Sequence, residues 1–181
     1  MIDRLTLLDR PELTTERLLL RRPNVGDVAA IVDIVGDWEV ASRLARVPHP
    51  YGIADAKFFL EQVVPSEWVW AITIDGSDGL IGAIGLTPEK EADSAELGYW
   101  LSKSYWGQGV ITEAATAVVI FGFYTLRLPL ITSGYFEDNS VSGRVLKKLG
   151  FVEVGQAMRP CLAADKDMPS IELHLLPKRQ D

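Results

Sequence analysis

Apolar runs with two different periods alternate along the chain, separated by polar or glycine-containing turns. Apolar residues that recur every three or four positions predict helices, and short continuous or alternating runs predict strands. The predicted strands span residues 16–22, 67–74, 80–86, 95–101, 130–136, 151–158 and 171–176. The predicted helices span residues 24–35, 37–45, 55–64, 110–126 and 139–149.

These elements follow the order β-ααα-βββ-α-β-α-ββ, which combines hairpins with crossover connections. Strands joined by short turns, as at residues 75–79 and 90–94, pair antiparallel, whereas parallel neighbours need a crossover. We therefore predict an α/β (α+β) fold built on one mixed sheet with helices on both faces. A chain of 181 residues is the length of one such domain.

The composition indicates a folded protein and excludes several classes. Hydrophobic residues make up 48% of the chain and charged residues 24%, which excludes disorder and a collagen-like fibre. The net charge is −7, so we expect no nucleic-acid partner. The single cysteine, Cys161, forms no internal disulfide, and His49 and His174 lie too far apart in sequence to suggest a metal site.

The sequence predicts neither a leader peptide nor a membrane span. Asp3 and Asp9 interrupt the apolar stretch that a signal peptide would need. The apolar run at residues 114–131 contains Arg127 and Pro129, whereas a spanning helix needs about 20 apolar residues in a row. We therefore expect a buried helix in this region and a cytoplasmic protein.

Segment 96–113 contains a strand, a short turn, a glycine pair and the start of a helix. This order directs free main-chain N–H groups and the positive end of the helix dipole to one point, where a diphosphate can bind without a basic side chain. Gly107 and Gly109 allow its close approach. The Gly-Lys-Ser/Thr of a kinase-type loop is absent, and Thr112 stands where the dinucleotide fingerprint needs glycine. A tight turn without a ligand is the alternative.

Three motifs occur in order along the chain: AELGYWL at residues 95–101, YWGQGVITEA at 105–114, and NSVSGRVL with LGF at 139–151. Together they resemble the GNAT superfamily of N-acetyltransferases. The opening segment LTTERLLLR is similar to the first strand of the RimJ/RimL-like branch, whose founding members acetylate the N-termini of ribosomal proteins. The resemblance covers residues 12–177, which we take as one domain preceded by an N-terminal extension at 1–11.

The resemblance implies acetyl-CoA as the cofactor. Residues 108–112 would bind its diphosphate through main-chain N–H groups, residues 99–101 would pair with the pantetheine arm, and Asn139 would bind the pantetheine or the acceptor. The residues assigned to the cofactor are Tyr99, Trp100, Leu101, Gln108, Gly109, Val110, Ile111, Thr112 and Asn139. Ile111 is bulkier than the family pattern, and Leu146 stands where a thiolate-protonating tyrosine often occurs. Ser142 is the substitute usual in the RimJ/RimL-like branch.

The expected chemistry is aminolysis of a thioester, which needs a neutral amine. An alkylamine has a pKa of about 10, so a base must remove its proton at neutral pH. Glu96 is the candidate base, directly or through water, and main-chain N–H groups of its strand would stabilise the oxyanion. Ser142 would hydrogen-bond the departing thiolate. Structural roles are the alternatives: a strand carboxylate for Glu96, a polar helix residue for Ser142 and an N-cap for Asn139.

The sequence thus predicts an enzyme that transfers an acetyl group from acetyl-CoA to a primary amine by direct attack in a ternary complex, with no metal ion. The sequence does not distinguish between a peptide N-terminus, an aminoglycoside, a polyamine and a small metabolite amine as the acceptor. It also does not distinguish a monomer from a homodimer. A non-catalytic acyl-CoA-binding module is the alternative from a different class. A hydride-transferring dinucleotide protein is a more distant one.

Overall fold

The computed structural model describes residues 10–89 and 93–178. Eight strands lie in these residues: β1 (Leu13–Thr14), β2 (Leu18–Arg21), β3 (Trp68–Ile74), β4 (Leu80–Pro88), β5 (Ser94–Leu101), β6 (Leu130–Phe136), β7 (Val152–Cys161) and β8 (Lys166–Leu175). The α-helices of the same residues are α1 (Val28–Val35), α2 (Trp38–Ala41), α3 (Ile53–Phe58), α4 (Val110–Ile120) and α5 (Ser140–Lys148). Helices α3 and α4 each continue into one π-helical turn, Phe59–Val63 and Phe121–Thr125.

The strands form a single sheet with the order β1-β2-β3-β4-β5-β6-β8-β7. Neighbours pair antiparallel except β5 and β6, which are parallel and are connected through α4. The predicted mixed sheet with both hairpins and crossovers is therefore confirmed.

Alternate residues of β3 face the two sides of the sheet. Trp68, Trp70 and Ile72 are fully buried in the core that also contains the buried face of α4, and the Trp70 ring meets the edge of Phe121 at a centroid distance of 5.2 Å. Ala71 lies on the opposite side and packs with residues of α1 and α3. Helices thus cover both faces, as predicted.

The hairpin of β7 and β8 is longer than the sequence predicts. The sequence predicts that β7 ends at residue 158 and that β8 begins at residue 171, whereas the observed strands end at Cys161 and begin at Lys166. In the structure Pro160 pairs with Asp167 and Pro169 with Met158. Both prolines are tolerated because β7 is the edge strand, and β8 pairs with β6 only from Ser170 onward. The prediction also missed the two-residue strand β1 and placed the end of α2 four residues too late.

The first described residues pack against the sheet. The Arg10 guanidinium donates to the main-chain oxygen of Val69 at 2.6 Å, and the Pro11 oxygen accepts from Trp70 Nε1 at 2.8 Å. The rest of the predicted extension, residues 1–9, and part of the predicted turn at 90–94 lie outside the described residues. Within the described ranges, no helix has the length and apolar character to cross a bilayer.

Candidate active site

The two parallel strands at the centre of the sheet separate after three residue pairs. β5 and β6 pair only from Ser94–Leu130 to Glu96–Thr132. Beyond this point β5 pairs with β4 alone and β6 with β8 alone. Ser133 Oγ donates to the Leu97 oxygen at 2.9 Å and bridges the two strands where they part. The result is a wedge-shaped split that opens toward the carboxyl ends of both strands.

One residue of β5 presents its main chain to this split. The oxygens of Leu97 and Leu101 are bonded by Ser133 Oγ and Trp106 Nε1, both at 2.9 Å, so they point away from β4. Because main-chain groups alternate in direction along a strand, Tyr99 also directs its N–H and C=O into the split. Trp100 directs its main chain to β4, and its ring packs on Phe59 at a centroid distance of 6.3 Å.

The glycine pair forms a tight loop directly before α4. Gly107 and Gly109 have φ angles of +74° and +76°, which only glycine adopts without strain. Gly109 is the N-cap and provides no side chain, and the first helical hydrogen bond runs from the Glu113 N–H to the Gly109 oxygen at 3.0 Å. The N–H groups of residues 110–112 therefore have no partner within the helix. They form a cradle for an anion at the positive end of the helix dipole.

Glu113 holds this cradle against the first strands of the sheet. Its carboxylate accepts from Thr15 Oγ1 at 2.6 Å, from the Arg17 N–H at 2.8 Å and from Arg17 Nε at 2.7 Å. Burial opposes ionisation, but these hydrogen bonds outweigh it and lower the pKa of Glu113 below its ordinary value. Arg17 Nη1 also donates to the Gln108 oxygen at 3.1 Å. The Gln108 side chain turns away and donates to the Ser104 oxygen at 2.8 Å.

Two hydroxyl groups meet on the α5 side of the split. Tyr99 Oη lies 2.7 Å from Ser142 Oγ, which joins β5 to the first turn of α5. Burial raises the pKa of Tyr99 to about 12, although the bond to Ser142 lowers it in part. The sequence prediction named Ser142 as the hydrogen-bond donor to the thiolate and missed the Tyr99 hydroxyl. The alternation of β5 could have indicated this hydroxyl, because it places Tyr99 on the face opposite Glu96.

Asn139 is the N-cap of α5, which is the structural alternative predicted for it from the sequence. Its Oδ1 accepts from the Ser142 N–H at 3.4 Å and from Arg43 Nη1 at 2.9 Å. The Arg43 guanidinium also lies 5.1 Å from the centre of the Trp106 ring. Arg43 thus links the segment after α2 to the residues that follow β5 and β6, across the open end of the split.

Glu96 lies on the other face of β5 and forms an ion pair. Its Oε1 accepts from Arg159 Nη1, and Arg159 Nε donates to Glu172 Oε1 at 2.7 Å. The pKa of Arg159 is raised, first by its hydrogen bond to Glu172 and, against burial, by the one to Glu96. Glu96 Oε2 makes no hydrogen bond with a described residue, and about a third of the side chain is exposed, at 34%. Sequence reasoning missed Arg159, which lies on the distant strand β7.

A second polar group lies beside Glu96 on the same face of the sheet. Glu67 is buried and its carboxylate is bonded by Arg46 Nη1 at 2.7 Å and by Thr87 Oγ1 at 2.7 Å. Thr87 pairs with Glu96 across β4 and β5. The Leu162 N–H donates to the Ala45 oxygen at 3.2 Å. The tip of the β7–β8 hairpin therefore contacts the segment after α2.

The split and the face of the sheet that carries Glu67 and Glu96 belong to one continuous cleft of about 1440 Å³. All residues predicted for the site line it except Gln108. The cleft fits the expected cofactor: the N–H groups of residues 110–112 match a diphosphate, and the Tyr99 main chain matches an amide-bearing arm. A Cβ placed on Gly98 or Gly107 would meet no atom within 4 Å, so both positions leave open space.

Comparisons with known proteins agree with this geometry. Residues 17–152 match the acetyltransferase (GNAT) domain. The chain is 30% identical to the uncharacterized N-acetyltransferase YoaA of Bacillus subtilis (strain 168), over 80% of this chain and 85% of that protein. Its fold is similar to the GNAT-family acetyltransferase from Bacillus anthracis, with a TM-score of 0.81 and 21% identity, covering 92% of this chain and 98% of that one.

A further similar structure is RimL, a ribosomal L7/L12 alpha-N-protein acetyltransferase in complex with coenzyme A. The TM-score is 0.78 at 15% identity, and the match covers 92% of this chain and 98% of that one. This likeness concerns the fold and is consistent with the RimJ/RimL-like resemblance of the sequence.

Proposed function

Because the chain belongs to the GNAT acetyltransferase family, we propose that it transfers the acetyl group of acetyl-CoA to a primary amine by direct attack in a ternary complex. That it is an acetyl-CoA-dependent acyltransferase follows from the family. The amine acceptor, the direct attack and the roles of individual residues are the proposal.

The observation that carries the proposal is the arrangement of three groups around the split between β5 and β6. The uncapped amides of residues 110–112 lie at its open end, and the Tyr99 main chain lines it. Glu96 lies on the opposite face of β5, toward α1–α3. The diphosphate would bind at the amides and the pantetheine along Tyr99. The acceptor would enter from the Glu96 side, so the two substrates approach the thioester from opposite faces of the sheet.

Glu96 is the proposed proton acceptor. Its Oε1 is held by Arg159, which fixes the orientation of the carboxylate and leaves Oε2 to accept a proton from the amine or from a bridging water. Bound acetyl-CoA supplies the activated acyl group. Removing the proton makes the amine nucleophilic, and this is the part of the reaction that needs a side chain.

The Tyr99–Ser142 pair is proposed to stabilise the departing thiolate by hydrogen bonding and not by proton transfer. The pKa of Tyr99 is about 12, whereas a free thiol has a pKa of about 8.5. Transfer of the tyrosine proton to the thiolate is therefore unfavourable. A hydrogen bond from Tyr99 or Ser142 to the sulfur has no such cost.

The acceptor side of the cleft favours a cationic amine presented at the end of a molecule. Glu67 and Glu96 line the cleft there, and each is paired with an arginine. Because Glu96 Oε2 makes no hydrogen bond with a described residue, this oxygen is available to a protonated amine. The contact between Leu162 and Ala45 bridges the outer side of this region, which suits an amine that enters end-on, including a peptide N-terminus.

The test is acetyl-CoA turnover with an amine panel: a peptide with a free N-terminus, a polyamine, an aminoglycoside and a small alkylamine. We expect at least one to be acetylated and Glu96→Gln to lower kcat by about 10²–10³-fold. Glu172→Gln is the matched control, because Glu172 also bonds Arg159 but does not line the cleft. It should stay within about threefold of the unmodified protein.

Two outcomes would contradict the proposal. Binding of coenzyme A without acetylation of any amine would favour the non-catalytic acyl-CoA-binding module. Equal turnover by the unmodified protein and Glu96→Gln would remove Glu96 from the reaction. A thermal-shift comparison of coenzyme A with NAD separates both outcomes from the dinucleotide alternative.

A further inference from the structure

The face of the sheet that carries Glu96 changes from polar to apolar along β5. Glu96 lies in a polar row with Thr87 of β4. Residues on one face of a strand are two positions apart, so Gly98 lies roughly 7 Å and Trp100 roughly 13 Å from Glu96 along the strand. The rows to which they belong contain only glycine and apolar residues, Val69–Gly85–Gly98 and Ala71–Ala83–Trp100.

The row of Gly98 forms a hollow in this face. At Gly85 a Cβ would lie 2.7 Å from the Trp68 oxygen, so the packing of the sheet itself requires glycine there. At Gly98 a Cβ would meet no atom within 4 Å, so no such requirement applies. Glycine weakens the interior of a strand and often marks a site where another group approaches closely. The open space above Gly98 is therefore a candidate position for part of a substrate.

Apolar side chains surround this hollow. The π-helical turn after α3 packs Phe59 and Val63 against the sheet residues Val69 and Ala83 and against Trp100. All five residues line the cleft. Phe59, Val63 and Trp100 are only half-buried, so part of each side chain faces the open space. The hollow next to Glu96 thus has apolar walls and an apolar floor.

The carboxylates of the cleft lie outside the hollow. Among the described residues, the cleft is lined by the carboxylates of Asp55, Glu67 and Glu96. Glu67 is bonded by Arg46 and Thr87, and Asp55 accepts from the main chain at the start of α3. A cation placed in the hollow would be surrounded by apolar side chains, which is unfavourable. The hollow therefore disfavours a polyamine or an aminoglycoside, which carry further cations near the first.

We propose that the acceptor is a primary amine with an apolar group about the size of a leucine or phenylalanine side chain, and that Phe59, Val63 and Trp100 select this group. The inference rests on the proposed function, because it needs the amine nitrogen at Glu96 Oε2. The apolar group then lies over Gly98, where its burial removes apolar surface from water. A small apolar amine and a peptide with an apolar first residue share this chemistry.

The experiment compares kcat/KM at saturating acetyl-CoA for ethylamine, butylamine, hexylamine and cadaverine. Cadaverine matches hexylamine in length, but an ammonium group replaces the terminal methyl group. We expect kcat/KM to rise about three- to fourfold per methylene group from ethylamine to hexylamine. Cadaverine should be poorer than hexylamine by about tenfold or more.

Two variants test the walls of the hollow. In Phe59→Ala and in Val63→Thr, the ratio of kcat/KM for hexylamine to that for ethylamine should fall by about tenfold. Val63→Thr keeps the shape of the side chain, so it tests the wall even if Phe59→Ala does not fold. Leu60→Ala is the matched control, because Leu60 lies in the same π-helical turn and packs against the same residues but does not line the cleft. It should keep the ratio, since a general loss of packing lowers the turnover of both amines alike.

Two peptides that differ only in leucine or alanine as the first residue distinguish the two sources of the apolar group. A leucine peptide that is acetylated faster than both the alanine peptide and hexylamine assigns the hollow to a peptide N-terminus. Faster acetylation of hexylamine than of both peptides assigns it to a small amine.

The outcomes separate this inference from the function on which it rests. If kcat/KM is the same along the alkylamine series, if cadaverine equals hexylamine, or if folded Phe59→Ala and Val63→Thr keep the ratio, selection of an apolar group is wrong while acetyl transfer to amines stands. If no amine or peptide is acetylated, the proposed function is wrong and this inference is overturned with it. A lower ratio in the two wall variants but not in Leu60→Ala supports the hollow as the acceptor site.

Discussion

Gly76 and Gly109 have nearly the same backbone conformation, with φ angles of +78° and +76°, although only Gly109 precedes the helix that forms the anion cradle. Gly76 lies in the hairpin turn between β3 and β4. A Cβ on Gly76 would meet no atom within 4 Å, and one on Gly109 would meet only Arg17 Nη2, at an ordinary 3.6 Å. The loss of stability on replacing either glycine by alanine should therefore come mainly from backbone strain. Comparing the two variants separates this strain from any effect on ligand binding, which only Gly109 should have.

We predict that Gly76→Ala and Gly109→Ala each lower the free energy of unfolding by about 1–2 kcal/mol, because both force an L-residue into the left-handed region. Only Gly109→Ala should also weaken coenzyme A binding, by about tenfold or more, since relief of the strain redirects the N–H groups of residues 110–112. Urea unfolding and calorimetric titration measure the two effects. Unchanged coenzyme A affinity in Gly109→Ala would contradict the cradle.

The bond between Tyr99 and Ser142 leads to a prediction about coupling. If the two hydroxyl groups act as one donor pair toward the thiolate, removing either should lower kcat by about tenfold, and removing both should cost little more than the larger single effect. The measurement is a double-mutant cycle of Tyr99→Phe, Ser142→Ala and the double variant, with kcat as the readout. Effects that multiply would mean that the two hydroxyl groups act independently. A normal kcat in both single variants would remove the pair from the reaction.

The parts of the fold that the sequence predicted well are those set by local chemistry. The glycine pair, the strand before it and the helix after it depend on residues within about one turn of each other, so Gly107, Gly109 and the start of α4 could be placed from the sequence. The alternation of β5 places Glu96 and Tyr99 on opposite faces, because the side-chain period of a strand is two. The sequence prediction assigned neither residue to a face, although this signal is local.

The contacts that the sequence did not predict join residues far apart along the chain. Arg159 meets Glu96 across 63 positions, and Arg43 meets Asn139 across 96. Such pairs depend on the order and register of the strands, in particular on the placement of β8 between β6 and β7. Nothing in a single sequence determines which arginine reaches which carboxylate. The length of the β7–β8 hairpin was missed for a related reason, since the tolerance of its prolines depends on which strand is at the edge.

The lowered pKa of Glu113 predicts a pH-dependent contribution to stability. Because the folded state holds the carboxylate ionised below its ordinary pKa, the stabilisation is complete above the unfolded-state pKa of about 4.3 and is lost as the pH falls through the folded value. Glu113→Gln should therefore be less stable than the unmodified protein by about 1 kcal/mol at pH 7. The difference should shrink toward zero at pH 3.

Urea unfolding at pH 7 and pH 3 measures the effect of Glu113→Gln. Glu61→Gln is the control, because Glu61 is exposed and makes no ion pair with a described residue. It should leave stability unchanged within about 0.5 kcal/mol at both pH values. A Glu113→Gln difference that is the same at pH 3 as at pH 7 would show that the charge of Glu113 does not brace the cradle.

Gly98 provides a test of the side from which the acceptor enters. It lies on β5 between Glu96 and Trp100, faces α1–α3 with them, and a Cβ there would meet no atom within 4 Å. Valine is favoured in strands, so Gly98→Val should keep or slightly raise stability while its side chain fills space next to Glu96. We expect the KM for the amine to rise by about tenfold, with the KM for acetyl-CoA changed much less.

Gly155→Val is the matched control for Gly98→Val, because a Cβ on Gly155 of β7 also meets no atom within 4 Å and this residue does not line the cleft. Steady-state kinetics with one substrate varied at a time measures the two KM values. If Gly98→Val raised the KM for acetyl-CoA and not that for the amine, the two substrates would have to exchange faces of the sheet. Glu96 would then lie on the cofactor side, where it could not take the proton of the acceptor.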